Sequence, residues 1–170
     1  MIERFLTQTH FTSEDDFKQN LHFIIPENFN FAYDVMDAWA EEKPDKLALL
    51  WTSERGEEIR FTFKDLKEQT DQVASYYQSL GIGRGDMVTR FLLAVQSVHY
   101  QWWLSMLALC KLGAIAIPAT HMLTTKDIVY RNQRASIKAI ICVNDEYVTT
   151  QIKESLSESP SVKILIAVNS

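Results

Sequence analysis

The chain has 170 residues, 46% of them hydrophobic and 23% charged, a composition that suits one globular domain and is neither disordered nor fibrous. With 22 acidic against 17 basic residues, a net charge of −5 and no Lys/Arg cluster to neutralise phosphates, nucleic acid is not expected as a partner. The opening MIERFLTQTHFTSEDDF places acids where a secretory leader needs a basic and then an apolar region. No window reaches the ~18 apolar residues of a membrane span, and at this level the protein reads as cytoplasmic.

Residues 1–30 read as an N-terminal arm, in which Ser13 before Glu14, Asp15 and Asp16 supplies the cap and the acidic first turn of one short helix. From Phe31 the apolar positions Phe31, Val35, Met36, Ala38 and Trp39 recur at helical spacing and stop before Lys43-Pro44, since proline disfavours helix in the residue before it. Two extended runs follow, LALLWT at 47–52 and EIRFT at 58–62, and Gly56 between them can supply the positive φ of a hairpin turn.

Thr62, three residues before Asp65, has capping-box spacing, and Leu66, Val73, Tyr76, Tyr77 and Leu80 mark one face of a helix that Gly81 ends. A strand is expected from Met87 to Leu93, then a helix apolar almost all round through Trp102, Trp103, Met106, Leu107, Leu109, Cys110 and Leu112. The strand A114-I-A-I-P is read as ending at Pro118, and T124-T-K-D as capping the next helix. K138-A-I-I-C-V makes a strand, residues 146–157 a helix, and V162-K-I-L-I-A-V a last strand. From Thr62 the order is α, β, α, β, α, β, α, β with short, continuous apolar strands, which predicts a doubly wound, mostly parallel α/β sheet with flanking helices. The last strand leaves two readings, an edge shielded by the arm or a domain that continues, and the second is favoured because exposed apolar edges are a liability.

Ligands of open α/β sheets meet the carboxyl ends of the strands where the strand order reverses. The exit of the Pro118 strand delivers Thr120, His121 and Thr124 to such an edge. The plainer reading of the threonines is that they satisfy backbone groups at strand exit and helix entry. The glycines of G81-I-G-R-G-D lie after a helix and before a strand, the reverse of a dinucleotide loop, so they read as a connection. His99 reads as a structural histidine at the start of the Trp-rich helix, and His10 and His22 lie in the arm without metal-ligand spacing. Arg90, inside a strand, is left with three options: snorkelling from a strand end, pairing with an acid such as Asp86, or facing a partner surface. Cys110 and Cys142 have no CxxC or Cys/His spacing and read as small buried hydrophobes. None of the common phosphate-loop, nucleophile-elbow, zinc or kinase motifs is present.

Three stretches carry a resemblance: RFTFKDL at 60–66, GIGRGDMV at 81–88 and LALCKLGAIAIPATHMLTTKDIVYR at 107–131. In order and spacing they resemble the adenylate-forming, AMP-binding acyl-CoA synthetases, within them the medium-chain and acetyl-CoA-synthetase-like branch, over roughly residues 29–168. The resemblance implies that residues 31–170 are the first, incomplete portion of the large N-terminal domain of such an enzyme. The intact enzyme would use ATP, Mg²⁺ and CoA to convert a carboxylic acid to acyl-CoA through an acyl-adenylate. The family's phosphate-binding loop, ribose-binding aspartate and C-terminal catalytic lysine have no counterpart here, so this portion alone is expected to be inactive and to hold no cofactor tightly. One site residue carries over: His121 matches the position of a glutamine associated with CoA binding, while Ala119 stands where the family usually has glycine. The rival reading is a non-catalytic binding or interaction module of the same fold.

Overall fold

The computed structural model describes residues 2–53, 55–92 and 100–168. Helix α1 (Glu14–Asn20) is followed by a π-helical segment, Ala32–Asp37, that runs into α2 (Ala38–Glu42). Strands β1 (Leu47–Thr52) and β2 (Glu58–Thr62) form an antiparallel hairpin, and Gly56 takes the expected positive φ of 80°. Then come α3 (Phe63–Ser79), β3 (Met87–Leu92), α4 (Tyr100–Leu112), β4 (Ile115–Thr120), α5 (Thr125–Ala135), β5 (Ala139–Val143), α6 (Glu146–Ser155) and β6 (Ile164–Val168).

The caps read from the sequence form. The Ser13 side chain accepts from the Asp16 N–H at 3.1 Å. Thr62 and Asp65 close a reciprocal box at 3.1 and 2.8 Å, and Thr124 and Asp127 close a second. Each box satisfies two of the amide donors that a helix start leaves without an intrahelical acceptor.

The four parallel strands are ordered β4-β3-β5-β6. The chain steps from β3 outward to β4, crosses back past β3 to β5, and continues to β6. Alternation along the strands sends Val88, Ile141 and Ile166 against Ala74 and Tyr77 of α3 and Ala108 and Leu109 of α4. It sends Ala119, Ile140 and Cys142 against Ile128 of α5 and Val148 and Ile152 of α6. Helices therefore cover both faces, as the α/β alternation predicts, and β5 between two neighbours is buried at all five positions. Full burial of one of its isoleucines stabilises the fold by about 1.5–3 kcal/mol.

Several expectations are corrected. Pro118 does not end its strand; β4 runs on to Thr120 with Pro118 opposite Arg90. The Ile115 N–H donates inward to the Asp86 carbonyl, so alternation turns residues 116 and 118 outward. Since among the described residues β4 pairs only with β3, proline sacrifices no ladder bond there. The helix expected from Phe31 starts as a π-helix, and the 146–157 helix finishes as a 3₁₀ turn at Leu156–Glu158. Arg90 neither snorkels from a strand end nor pairs with Asp86. It is 1% exposed, shares the Val88 face, and brings Nη1 to 3.5 Å from the Ile141 carbonyl, while burial pulls its pKa down. Asp86 pairs with Lys138 instead, at 2.7 Å. Strand β6 pairs only with β5 among the described residues. The arm, which folds back through a Leu6–Phe23 bridge, sets Ile2 and Phe5 beside Val35 and Trp39 rather than on that edge. His99 and the expected strand residue Leu93 lie outside the described residues.

Candidate functional site

The strand order reverses between β3 and β5, whose following helices leave toward opposite faces of the sheet, so the ligand crevice expected of this topology opens at their carboxyl ends. Segment 93–99, which follows β3, lies outside the described residues; the described part of this edge comprises the exits of β4 and β5. At the β4 exit Thr120 is half-buried, and its Oγ1 accepts from the Met122 N–H at 3.4 Å, which folds the chain into the turn holding His121. His121 is half-buried and Met122 is exposed. Thr124 then gives its hydroxyl to Asp127 at 2.7 Å, and that bond with the Thr124 amide holds the Asp127 carboxyl below its usual range.

The two threonines therefore serve the backbone, as the plainer reading holds, and His121 lies half-buried in the turn between them. An imidazole there can donate from one nitrogen and accept at the other, which suits a polar amide or hydroxyl of a ligand. Among the described residues no nucleophile and base pair lies beside it, and no group of His, Cys, Asp or Glu is arranged to hold a metal ion. At the β5 exit Asp145 is committed to capping α6 through the Val148 N–H at 3.0 Å.

The glycine-rich turn lies at the opposite, amino end of the sheet and is occupied by its own neighbours. Asp86 accepts from the Gly83 N–H at 2.8 Å, and Lys138 reaches both Asp86 and the Gly81 carbonyl at 2.7 Å. Burial alone raises the Asp86 pKa, but the Lys138 and Gly83 hydrogen bonds outweigh it and hold the carboxyl low. The turn's hydrogen bonds thus serve the connection it was read to be.

Sequence reasoning missed a buried ionic cluster. Lys111, whose side chain is 1% exposed, reaches Asp71 of α3 at 2.5 Å and Asp37 at 2.9 Å, the latter off the line of a well-formed hydrogen bond, with the Tyr33 ring 5.5 Å away. Lys67 adds a 2.7 Å bond to Asp71. Burial pushes Asp71 up, and the hydrogen bonds from Lys111 and Lys67 more than reverse it. Nearby, Asn30 donates to the Cys110 carbonyl at 2.7 Å and accepts from the Cys110 thiol at 3.4 Å. The one available signal was Lys111 itself, the single charge in a helix read as apolar all round. Beside this cluster an apolar groove of about 510 Å³ runs between the 31–42 helix, β1, α3 and α4, lined by Phe31, Met36, Leu49, Leu66, Trp102 and Met106 among others. Trp102 is half-buried and Trp103 exposed, and both rings line the groove. The two thiols are free, Cys142 buried and Cys110 half-buried.

The fold is that of the N-terminal domains of CoA-forming ligases. Acetoacetyl-CoA synthetase from Streptomyces lividans superposes with a TM-score of 0.72 over 88% of this chain and 23% of its own, at 20% identity. The anthranilate CoA ligase AuaEII does so with a TM-score of 0.69 over 85% of this chain and 26% of its own, also at 20% identity. The AMP-binding enzyme family matches residues 36–170, and the chain belongs to that family. Its relatives include the human mitochondrial acyl-coenzyme A synthetases ACSM3, 32% identical over 98% of this chain and 29% of the relative, and ACSM2B, 36% identical over 87% and 26%. The mouse mitochondrial acyl-coenzyme A synthetase ACSM4 is 34% identical over 85% and 25%. The relatives are thus of the medium-chain branch that the three motifs resemble, and the chain spans about a quarter of their length. Their names correct the cytoplasmic expectation, since these proteins are mitochondrial. The expectation weighed only a secretory leader and a membrane span, and neither bears on a mitochondrial address.

Proposed function

We propose that this chain is the first portion of an AMP-forming acyl-CoA synthetase, which activates a carboxylic acid with Mg²⁺ and ATP as an acyl-adenylate and passes the acyl group to CoA. The observation that supports the reading is the match of residues 36–170 to the AMP-binding enzyme family, together with relatives named acyl-coenzyme A synthetases. In this reading residues 1–30 are an arm and residues 31–170 the opening of the AMP-binding domain.

The described residues do not themselves fit Mg²⁺ and ATP. A triphosphate needs a strand, a loop rich in small and hydroxyl residues, and a helix start whose free amides face the phosphates. Here the glycine turn sits at the amino end with its hydrogen bonds spent, and the threonines at the α5 start are engaged. Adenylation is therefore assigned to the remainder of the intact enzyme, and the 170-residue portion alone is inactive. Its contribution to chemistry is His121, a contact for CoA at the carboxyl edge.

The test is carried out on the intact polypeptide, with acid-dependent exchange of pyrophosphate into ATP for the first half-reaction and thioester formation for the second. Activity with at least one short, medium-chain or aromatic acid is expected, and failure with all three classes overturns the reading. His121→Ala is expected to raise the CoA requirement and leave pyrophosphate exchange intact; equal loss of both half-reactions refutes the His121 assignment.

A further inference from the structure

The start of α5 is held twice. Its own box, Thr124 with Asp127, satisfies two donors locally. The next amide, that of Thr125, is satisfied from another helix: the Gln151 side-chain oxygen, on α6, accepts from the Thr125 N–H at 2.7 Å. The Thr125 hydroxyl lies 2.8 Å from the same oxygen and 2.9 Å from Glu154 Oε2, two alternative acceptors for its one hydrogen. A capping box fixes only the local backbone; a bond across 26 residues fixes where the helix start sits relative to the sheet. Between the β4 ladder, which ends at Thr120, and the Gln151 anchor at Thr125, only residues 121–124 remain, and Thr120 and Asp127 close that turn from either side.

We propose that Gln151 is a positioning residue that, through Thr125, sets the 121–124 turn and so presents His121 for the CoA half of the reaction. The inference rests on the CoA assignment of His121 made above. Gln151 touches no ligand in this account. It acts on the first turn of α5, where Ile128, Val148 and Ile152 provide apolar contact without direction; the far end of α5 is held separately, by Asn132 donating to Ser159 at 3.0 Å and Gln133 to the Glu158 carbonyl at 2.8 Å. Removing its acceptor leaves the half-buried Thr125 amide without a partner.

The experiment pairs Gln151→Ala with Gln151→Glu, which keeps an acceptor oxygen at the same reach. Amide hydrogen exchange of residues 121–126, KM for CoA, kcat and pyrophosphate exchange are all read in the intact enzyme. Gln151→Ala is expected to speed exchange there by about tenfold, the loss of roughly one hydrogen bond to a buried amide. It should raise KM for CoA several-fold while sparing pyrophosphate exchange, and Gln151→Glu should restore both readouts. Unchanged exchange in Gln151→Ala overturns the positioning role. Faster exchange with an unchanged KM for CoA overturns the link to coenzyme, and loss of both half-reactions together reduces Gln151 to a stability residue. His121→Ala separates the two layers: if it leaves KM for CoA unchanged, the CoA assignment fails, while the exchange readout still judges whether Gln151 holds the turn.

Discussion

Two junctions hold this molecule together, and they are made of different material. Helices α3 and α4 meet the sheet through Tyr77, Leu109, Val88 and Ile141, a contact with no direction and no dependence on charge. The 31–42 helix meets α3 and α4 partly through Asp37, Asp71 and Lys111, a contact that works only in one geometry and one protonation state. The first tolerates small changes of shape, and the second tolerates almost no change of charge. An apolar layer can be assembled from any sequence with the right period, whereas an ionic joint specifies which helix docks and in which register.

The largest break in this comparison is Lys111→Met, which leaves Asp37, a buried carboxylate, beside an apolar chain. A loss of about 3–5 kcal/mol in urea unfolding is expected. The double variant Lys111→Met with Asp37→Asn should recover a substantial part of it, and a simple sum of the two single losses would show that the charges do not act as a pair. Acid should produce a smaller version of the same break. Asp71 and Asp86 have folded pKa values below the ordinary 3.8, so their contribution is fully present above about pH 3.8 and is lost as pH falls through the lower, folded values. The urea midpoint should therefore fall on acidification below about pH 4 more steeply in the parent than in Asp71→Asn; parallel curves would remove Asp71 from the ionic joint.

Ile141→Val probes the apolar junction, with a loss of about 1 kcal/mol that keeps the same size at pH 7 and near pH 4. A strongly pH-dependent loss would mean that the two junctions are coupled. Least should come from Lys67→Ala, whose side chain is 37% exposed and whose ion pair is worth about 0.5 kcal/mol or less, readable as a fading difference when salt is added.

The apolar junction was legible in the sequence because period is a local property. The continuous apolar run in K138-A-I-I-C-V marks a strand covered on both faces, spacing of three to four after Thr62 defines which helix residues turn inward, and the capping boxes at Thr62 and Thr124 mark where the helices start. The ionic junction was not legible, because Asp37, Asp71 and Lys111 are 34 and 40 residues apart and each alone looks like a surface charge. Pro118 misled for a related reason. Whether a proline ends a strand depends on which way its missing N–H would have pointed, and that is set by the neighbouring strand. The Gln151 contact with Thr125 crosses 26 residues and left no trace in spacing, while local pattern singled out His121 at a strand exit and only its CoA role came from resemblance to a family motif.

The proline in β4 also gives the sheet a direction of growth. On the outer side of β4 the position of residue 118 carries no hydrogen to offer, so a further strand laid there would face a gap in its ladder directly opposite the centre of the edge. At the other margin, Ile164 donates inward to the Lys138 carbonyl, which turns the amides of Leu165 and Ala167 outward as an unbroken row. A polypeptide that lengthens this sheet would therefore find a complete row of donors on the β6 side and an interrupted one on the β4 side.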